Sequence, residues 1–504
     1  MKNGLFDYDD RFISSIFEYA KQLEKMTFRQ VKEEFDKSYI KSYHNNYDSL
    51  EPAMVSEPSV KYGASFNYAA KGQLGNFIER FYFGYDPNGN QNADFSKVGM
   101  ELKLTPIDKR KDGKYRAGER LSITNISYEE PVEEDFYRSH VWNKIKLILL
   151  IHYLRDKSID RLDYTIEFVS LFKPTDYPDD LKIIIEDYNK IINKIKEGKA
   201  HELSEGDTLY LGACTKGTAA KDILRRQYYG THELAKKRNF CFKQTYMDYV
   251  LQTYILKQNL PYEKIVSEKI SISFEEYIIN KINANIGMSD EELCKKYHCE
   301  YTGNKAQWSN LAYRMLGIKG NHAEEFAKAN IVVKTIRLEE NGKNRENMSF
   351  PPFRFNDLVN EEWENSTIYN YFETTKFLFV IYKNNGKNYI LLGSQLWNMP
   401  YKDLNDTVCK EWRYIQSLIK NGIKFDIKKD VKGNIKVSNN LPGISDTEII
   451  HIRPHAKKAA YKLANGFITG NIERDANELP DGQWMTTQSF WINNSYILKQ
   501  LKYK

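Results

Sequence analysis

Apolar residues recur at helical spacing through the first 50 residues. Phe12, Ile13, Ile16, Phe17, Ala20 and Leu23 share one face, and Thr27 is placed to cap a second helix reaching Phe35. Residues 71–83 repeat the pattern, with Leu74, Phe77, Ile78, Phe81 and Tyr82 as the stripe and Glu79 at its edge. A loop rich in Gly, Asn and Asp follows over 84–92. The period then changes from helix to strand. Over residues 100–105, Met100, Leu102 and Leu104 point one way while Glu101, Lys103 and Thr105 point the other. Strands are expected at 121–126 and 147–152, with a helix over 140–146 capped by Ser139 between them. Residues 179–199 form a long amphipathic helix with Ile183, Ile184, Tyr188, Ile191, Ile192 and Ile195 inside. Residues 210–257 are expected to hold a polar loop, a helix, a strand at 239–243 and a closing helix, and 258–271 a boundary.

The second half echoes the first. Residues 93–103 lie over 324–334 without a gap, and 79–84 over 313–317 one residue shorter. Downstream, 146–151 resembles 376–381, and 240–246 resembles 490–496. One such match would be unremarkable between α/β segments; four in the same order favour a duplication. The copies differ where chemistry is concerned. Glu101 becomes Val332, Glu79 becomes Tyr313, Asp94 becomes Glu325 and Lys144 becomes Thr374. A valine cannot bind a cation, so the second half would keep the fold and lose the metal site.

Length and composition narrow the class. At 504 residues the chain is long for one domain, and its 41% apolar content supports real cores. There is no run of 18 apolar residues, so no membrane span is expected. The polar, acidic N-terminus does not read as a signal peptide. Five cysteines, few and odd in number, fit a reducing cytoplasm without a disulfide framework. Cys294, His298 and Cys299 cluster, but no second ligand pair follows at zinc spacing. A net charge of +6 is compatible with a polyanionic partner without requiring one.

The candidate chemistry sits in Asp94-Phe95-Ser96-Lys97-Val98-Gly99-Met100-Glu101-Leu102-Lys103. On a strand Glu101 and Lys103 stand on one side, roughly 7 Å apart. Asp94 arrives from the preceding turn. Two carboxylates for a hard cation, with an amine beside them to hold or polarise water, suit metal-dependent phosphodiester hydrolysis. Alone, the same residues read equally as a surface ion pair on a half-buried strand.

The wider set carries a family resemblance. Lys71-Gly72 with Glu79, the Asp94/Glu101/Lys103 motif and the stretches 198–206, 331–337, 360–364 and 488–494 together resemble the MutH family of GATC-specific DNA endonucleases. The whole chain looks like the longer type II restriction enzymes of that family, which cut before the G of GATC. The resemblance implies an α/β fold, a mixed sheet flanked by helices of the restriction-endonuclease or PD-(D/E)XK kind, in two tandem copies. It implies a catalytic domain over 1–260, a linker over 261–275, and a second MutH-like domain over 276–504 that lacks catalytic residues and acts as an allosteric DNA-binding effector.

Roles transfer residue by residue. Asp94, Glu101 and Lys103 match the core catalytic motif, Glu79 completes the carboxylate cluster, and Lys144 matches a second catalytic lysine near the phosphate. Asp94, Glu101 and Glu79 would hold Mg²⁺. Lys71 and Gly72 match a loop touching the recognition site, and the major-groove reading loop falls at 211–216. There the chain has Cys214-Thr215-Lys216 where mismatch-repair MutH has Arg-Pro-Lys, and Cys241 replaces a tyrosine. The second half reverses this: Arg453-Pro454 with Lys457 keeps the Arg-Pro, and Trp491 is aromatic at the tyrosine position. The implied partners are double-stranded DNA at two GATC sites, a DNA-induced dimer, and functional pairing with a GATC adenine methyltransferase. Two rivals have different consequences: a methyl-directed nickase of mismatch repair, among shorter chains, and a non-cleaving GATC-binding regulator, which has no need of the acidic set.

Overall fold

The computed structural model describes residues 6–47, 72–85, 92–215, 224–230, 233–429 and 435–503. The chain divides into two compact units. The first comprises Met1–His201, Thr208–Gly217 and Lys221–Pro261, and the second the remainder, mainly Tyr262–Lys504. Among the described residues no helix is long and apolar enough to cross a membrane.

The first unit is built on a four-stranded mixed sheet. Glu101–Lys109 lies at its centre, between Tyr115–Ala117 on one side and Ile148–Leu154 then Ile166–Phe172 on the other. Glu101–Lys109 and Ile148–Leu154 are parallel, with Glu101 opposite Ile148 and Ile107 opposite Leu154. The other pairs are antiparallel. Helices Ile13–Lys21, Phe28–Tyr47 and Gln73–Phe77, with the turn Ile78–Tyr82 that follows, press Ile16, Phe28, Phe77 and Phe81 against Leu102, Leu149 and Ile151. Thr27 caps the second helix as its sequence promises: its hydroxyl accepts from Gln30 N while its own amide donates to Gln30 Oε1. That helix runs to Tyr47, beyond Phe35.

The alternation of residues 100–105 does not end in solvent. Glu101 is only 2% exposed and Thr105 is also buried, because this strand lies inside a sheet covered on both faces. A second, antiparallel sheet places Arg238–Phe242 between Leu121–Asn125 and Leu211–Thr215. Residues 211–215 are therefore a strand, not the polar loop expected from the sequence. No helix lies between it and the Arg238 strand among the described residues, where a two-residue ladder, Leu224–Arg225 with Ala235–Lys236, stands instead. Small residues such as Gly212 and Ala213 carry little strand preference; backbone pairing to Arg238–Phe242 decides the matter.

The second unit has strands in the same local order. Ile331–Leu338 runs parallel to Lys376–Asn384, which is antiparallel to Tyr389–Trp397. A further antiparallel sheet sets Gln488–Ile492 between Met348–Phe353 and Ile450–Pro454. Local details recur. Gly99 and Asn330, superposed by the sequence alignment, both adopt left-handed backbone (φ 63° and 57°) one or two residues before a strand begins. Ser139 and Ser366 each follow a 3₁₀ turn, accept the amide three residues ahead, and open the helices His140–Ile145 and Thr367–Thr374. Leu211 opposes Phe242 as Ile450 opposes Ile492. Residues from Tyr262 pack with this unit: Ile265 is buried, and Ser273 caps helix Phe274–Asn283.

Candidate active site

Three local devices bring the acidic residues together. Gly72, left-handed at φ 83°, starts helix Gln73–Phe77, which continues as a π turn over Ile78–Tyr82 carrying Glu79. Widened turns of this kind re-aim side chains and are frequent at functional sites. The chain then folds back on itself: Phe95 and Met100 exchange backbone hydrogen bonds, and Gly99 supplies the left-handed residue that closes the loop. Asp94 is thereby returned to the strand it precedes, and its Oδ2 accepts from Leu102 N at 2.8 Å. Helix His140–Ile145, held by its Ser139 cap, delivers Lys144 to the neighbouring parallel strand.

Glu101 is the centre of the arrangement. Its Oε1 lies 2.8 Å from Lys103 Nζ and its Oε2 2.8 Å from Lys144 Nζ. Lys144 is itself buried and also donates to the Asn92 carbonyl at 2.6 Å. One lysine proton is left to reach a substrate oxygen. Glu79 and Asp94 lie close enough to feel one another and Glu101. Burial first, then the Asp94 charge, pushes Glu79 up to about 7. Burial and the Glu101 charge push Asp94 up to about 6, against the opposing bond from Leu102 N. The ion pairs of Glu101 are interior ones, so the surface-pair reading of the motif does not apply.

These groups fit a hard cation in a restricted sense. The donors are all oxygen, and crowded carboxylates with raised pKa values are stabilised by added positive charge. Yet no three Asp, Glu, His or Cys side chains among the described residues form a ready metal cluster. The set suits an ion that keeps most of its waters and takes one or two carboxylates, which is the habit of Mg²⁺. Cys294, His298 and Cys299 form no metal cluster among the described residues either; the Cys294 Sγ lies near the Glu300 carbonyl.

Tyr85 was not legible as a site residue. Its ring packs against Phe83 and Phe95, its amide bonds to Glu79 O, and its buried hydroxyl has no partner among the described residues. Burial and the charges of Asp94 and Glu79 hold that hydroxyl far above the ordinary tyrosine range. Only its place in a Gly/Asn-rich loop directly after an apolar helix could have marked it.

The groups expected to touch DNA are distributed over both units. Thr215 ends the strand Leu211–Thr215, where its carbonyl accepts from Arg120. Lys71 and Lys216 lie outside the described residues. In the second unit Arg453 and Trp491 meet: the guanidinium carbon stands 5.2 Å from the indole centroid. Pro454 and Lys457 are exposed nearby on the chain. The residues aligned with the acidic cluster have other partners there. Val332 packs against the hydrophobic core, and Glu325 spends both oxygens on the amides of Ile265 and Val266. Lys334 is half-buried; desolvation, with nearby Lys305, lowers its pKa, and it donates to the Ser349 carbonyl.

Comparison with known proteins agrees with this geometry. A family model described as the DNA mismatch repair enzyme MutH matches residues 83–187, the stretch that holds Asp94, Glu101, Lys103 and Lys144. Type II restriction enzyme Sau3AI of Staphylococcus aureus is 34% identical over 460 residues, covering 86% of this chain and 93% of that enzyme. With that extent of identity and a MutH segment that includes Asp94 and Glu101, the chain belongs to the family of type II restriction endonucleases built on a MutH-type nuclease domain.

Proposed function

We propose that the first unit cleaves double-stranded DNA before the G of 5′-GATC-3′, leaving 5′ overhangs with 5′-phosphates, and that the second unit binds another GATC as an effector. The observation that carries the catalytic half is Glu101, buried between two lysines with Asp94 anchored on the next amide. A regulator that does not cut would have no use for so costly a buried arrangement.

Enzymes of this kind generally use divalent ions, and Asp94 and Glu101 would hold Mg²⁺, with Glu79 adding charge to the same site or to a second ion. The ion supplies positive charge against the phosphorane-like transition state and favours ionisation of the attacking water. Lys103, paired with Glu101, orients the water and stabilises charge. Lys144 fixes Glu101 and the Asn92 loop and directs its remaining proton towards the scissile phosphate. In the second unit Arg453, steadied on Trp491, is available for two hydrogen bonds to guanine. The matching strand order, the left-handed Gly99 and Asn330, and the two serine caps support tandem MutH-like copies, divided near the 261–275 stretch.

Domain count favours this over the shorter mismatch-repair nickases. Pairing with a GATC adenine methyltransferase, a cytoplasmic setting and DNA-induced dimerisation or looping follow from the same reading. Digestion of methylated and unmethylated plasmid with Mg²⁺, followed by end sequencing, tests it. Four-base 5′ overhangs at GATC are expected. Ends at other sites, or nicks on one strand only, would overturn it.

A further inference from the structure

Asp187 lies on helix Pro178–Lys196 and is 2% exposed, yet it touches neither the acidic cluster nor a cation at salt-bridge distance among the described residues. Its carboxylate takes three consecutive backbone amides instead. Oδ1 accepts from Leu209 N at 2.8 Å, and Oδ2 from Tyr210 N at 2.6 Å and Leu211 N at 2.9 Å. Leu211 is the first residue of the strand Leu211–Thr215. The second unit repeats the device from a different residue type. Glu411, on helix Cys409–Lys420, accepts from Glu448 N at 2.5 Å and Ile450 N at 2.8 Å, with Ile449 N between them at 3.2 Å. Ile450 is the first residue of the strand Ile450–Pro454, which carries Arg453.

From these contacts we infer that Asp187 is a positioning residue for sequence recognition, setting where the Leu211–Thr215 strand begins and so where Thr215, at its far end, is presented. Glu411 does the same for the strand bearing Arg453. The inference rests on the assignment of the reading loop to residues 211–216. The physical need is specific. A strand of Gly212, Ala213 and Cys214 has little side-chain bulk to fix its register, and a slip of one residue inverts every side chain and displaces Thr215. A charged carboxylate on three successive amides forbids that slip, because any shift leaves a buried amide unpaired beside a buried charge. Four residues of strand then carry the setting roughly 13 Å to Thr215. Burial raises Asp187 to about 6, while the three amides and the Lys190 charge pull it down.

The test compares Asp187→Asn with Asp180→Asn in the full-length enzyme. Asp180 is a buried carboxylate on the same helix that instead accepts from the hydroxyls of Tyr246 and Tyr254. Cleavage rates are measured on a GATC duplex and on duplexes with one base pair changed, beside thermal melting. Asp187→Asn is expected to lower the ratio of cognate to near-cognate cleavage by about ten-fold or more, the scale of one lost base contact. Asp180→Asn, at comparable loss of melting temperature, is expected to keep the ratio. Equal ratios in both variants and the wild type overturn the inference, as do equal losses in both. Lys216→Ala separates the two levels: lost discrimination there with none in Asp187→Asn overturns the positioning role alone, whereas no loss in either overturns the reading-loop assignment with it. Should Asp187→Asn fail to fold, Asp187→Glu keeps the charge and both acceptors while displacing them by one methylene, and carries the same expectation.

Discussion

Lys144 Nζ stands 2.8 Å from Glu101 Oε2, and both side chains are buried. Removing Glu101 leaves buried Lys144 without a paired charge, a loss of about 3–5 kcal/mol, whereas removing Lys144 leaves Glu101 with Lys103 and should cost less. Lys144→Met and Glu101→Gln should each destabilise the first unit. The double variant should lose less than the sum, because Lys144 is no longer left buried opposite a neutral side chain. Chemical denaturation of the four proteins gives the coupling; strictly additive losses would show that the pair is not a unit. Cleavage should be lost in all three variants.

Arg453 stacked on Trp491 makes a separate prediction. Arg453→Ala should weaken binding of a second GATC duplex by about ten- to hundred-fold, the worth of a bidentate guanine contact, and slow cutting of a two-site plasmid. Active-site chemistry measured at saturating activator DNA should stay unchanged. Equal rates for variant and wild type on the two-site plasmid would remove the effector role. Trp491→Leu, which deletes the supporting ring, should follow Arg453→Ala with a smaller effect.

The sequence made the chemistry legible at unequal depth. Asp94, Glu101 and Lys103 lie within ten residues, so alternation alone puts two of them on one side of a strand. Lys144 is 43 residues from Glu101 and comes into range only through the parallel pairing of Glu101–Lys109 with Ile148–Leu154. No local pattern encodes that, and only family resemblance located it. Residues 211–215 read as loop because Leu-Gly-Ala-Cys-Thr has weak strand character; the Asp187 carboxylate and pairing with Arg238–Phe242 make it a strand. The burial of Glu101 was equally hidden, since alternation shows which residues share a face but not whether that face is covered.

His152 predicts a pH dependence of stability. It lies on Ile148–Leu154, its Nδ1 is buried without a partner among the described residues, and burial lowers its pKa from 6.5 to about 4. Between those values the unfolded chain binds a proton that the folded chain refuses. Stability from this group is therefore intact above pH 6.5 and lost as pH falls towards 4, by up to about 3 kcal/mol. Denaturation of wild type and His152→Gln at pH 7 and pH 4.5 checks this: the variant should lose less stability on acidification. Equal losses would assign the acid sensitivity elsewhere.

The central claim is that the Asp94, Glu101 and Lys103 centre of the first unit performs the cleavage. The direct measurement follows one labelled GATC duplex with wild type and with Glu101→Ala, recording binding without metal and cutting with Mg²⁺. Glu101→Ala should bind the duplex but cut at least about a thousand-fold more slowly, as expected when a principal transition-state interaction is removed. Cutting by Glu101→Ala at the wild-type rate would contradict it.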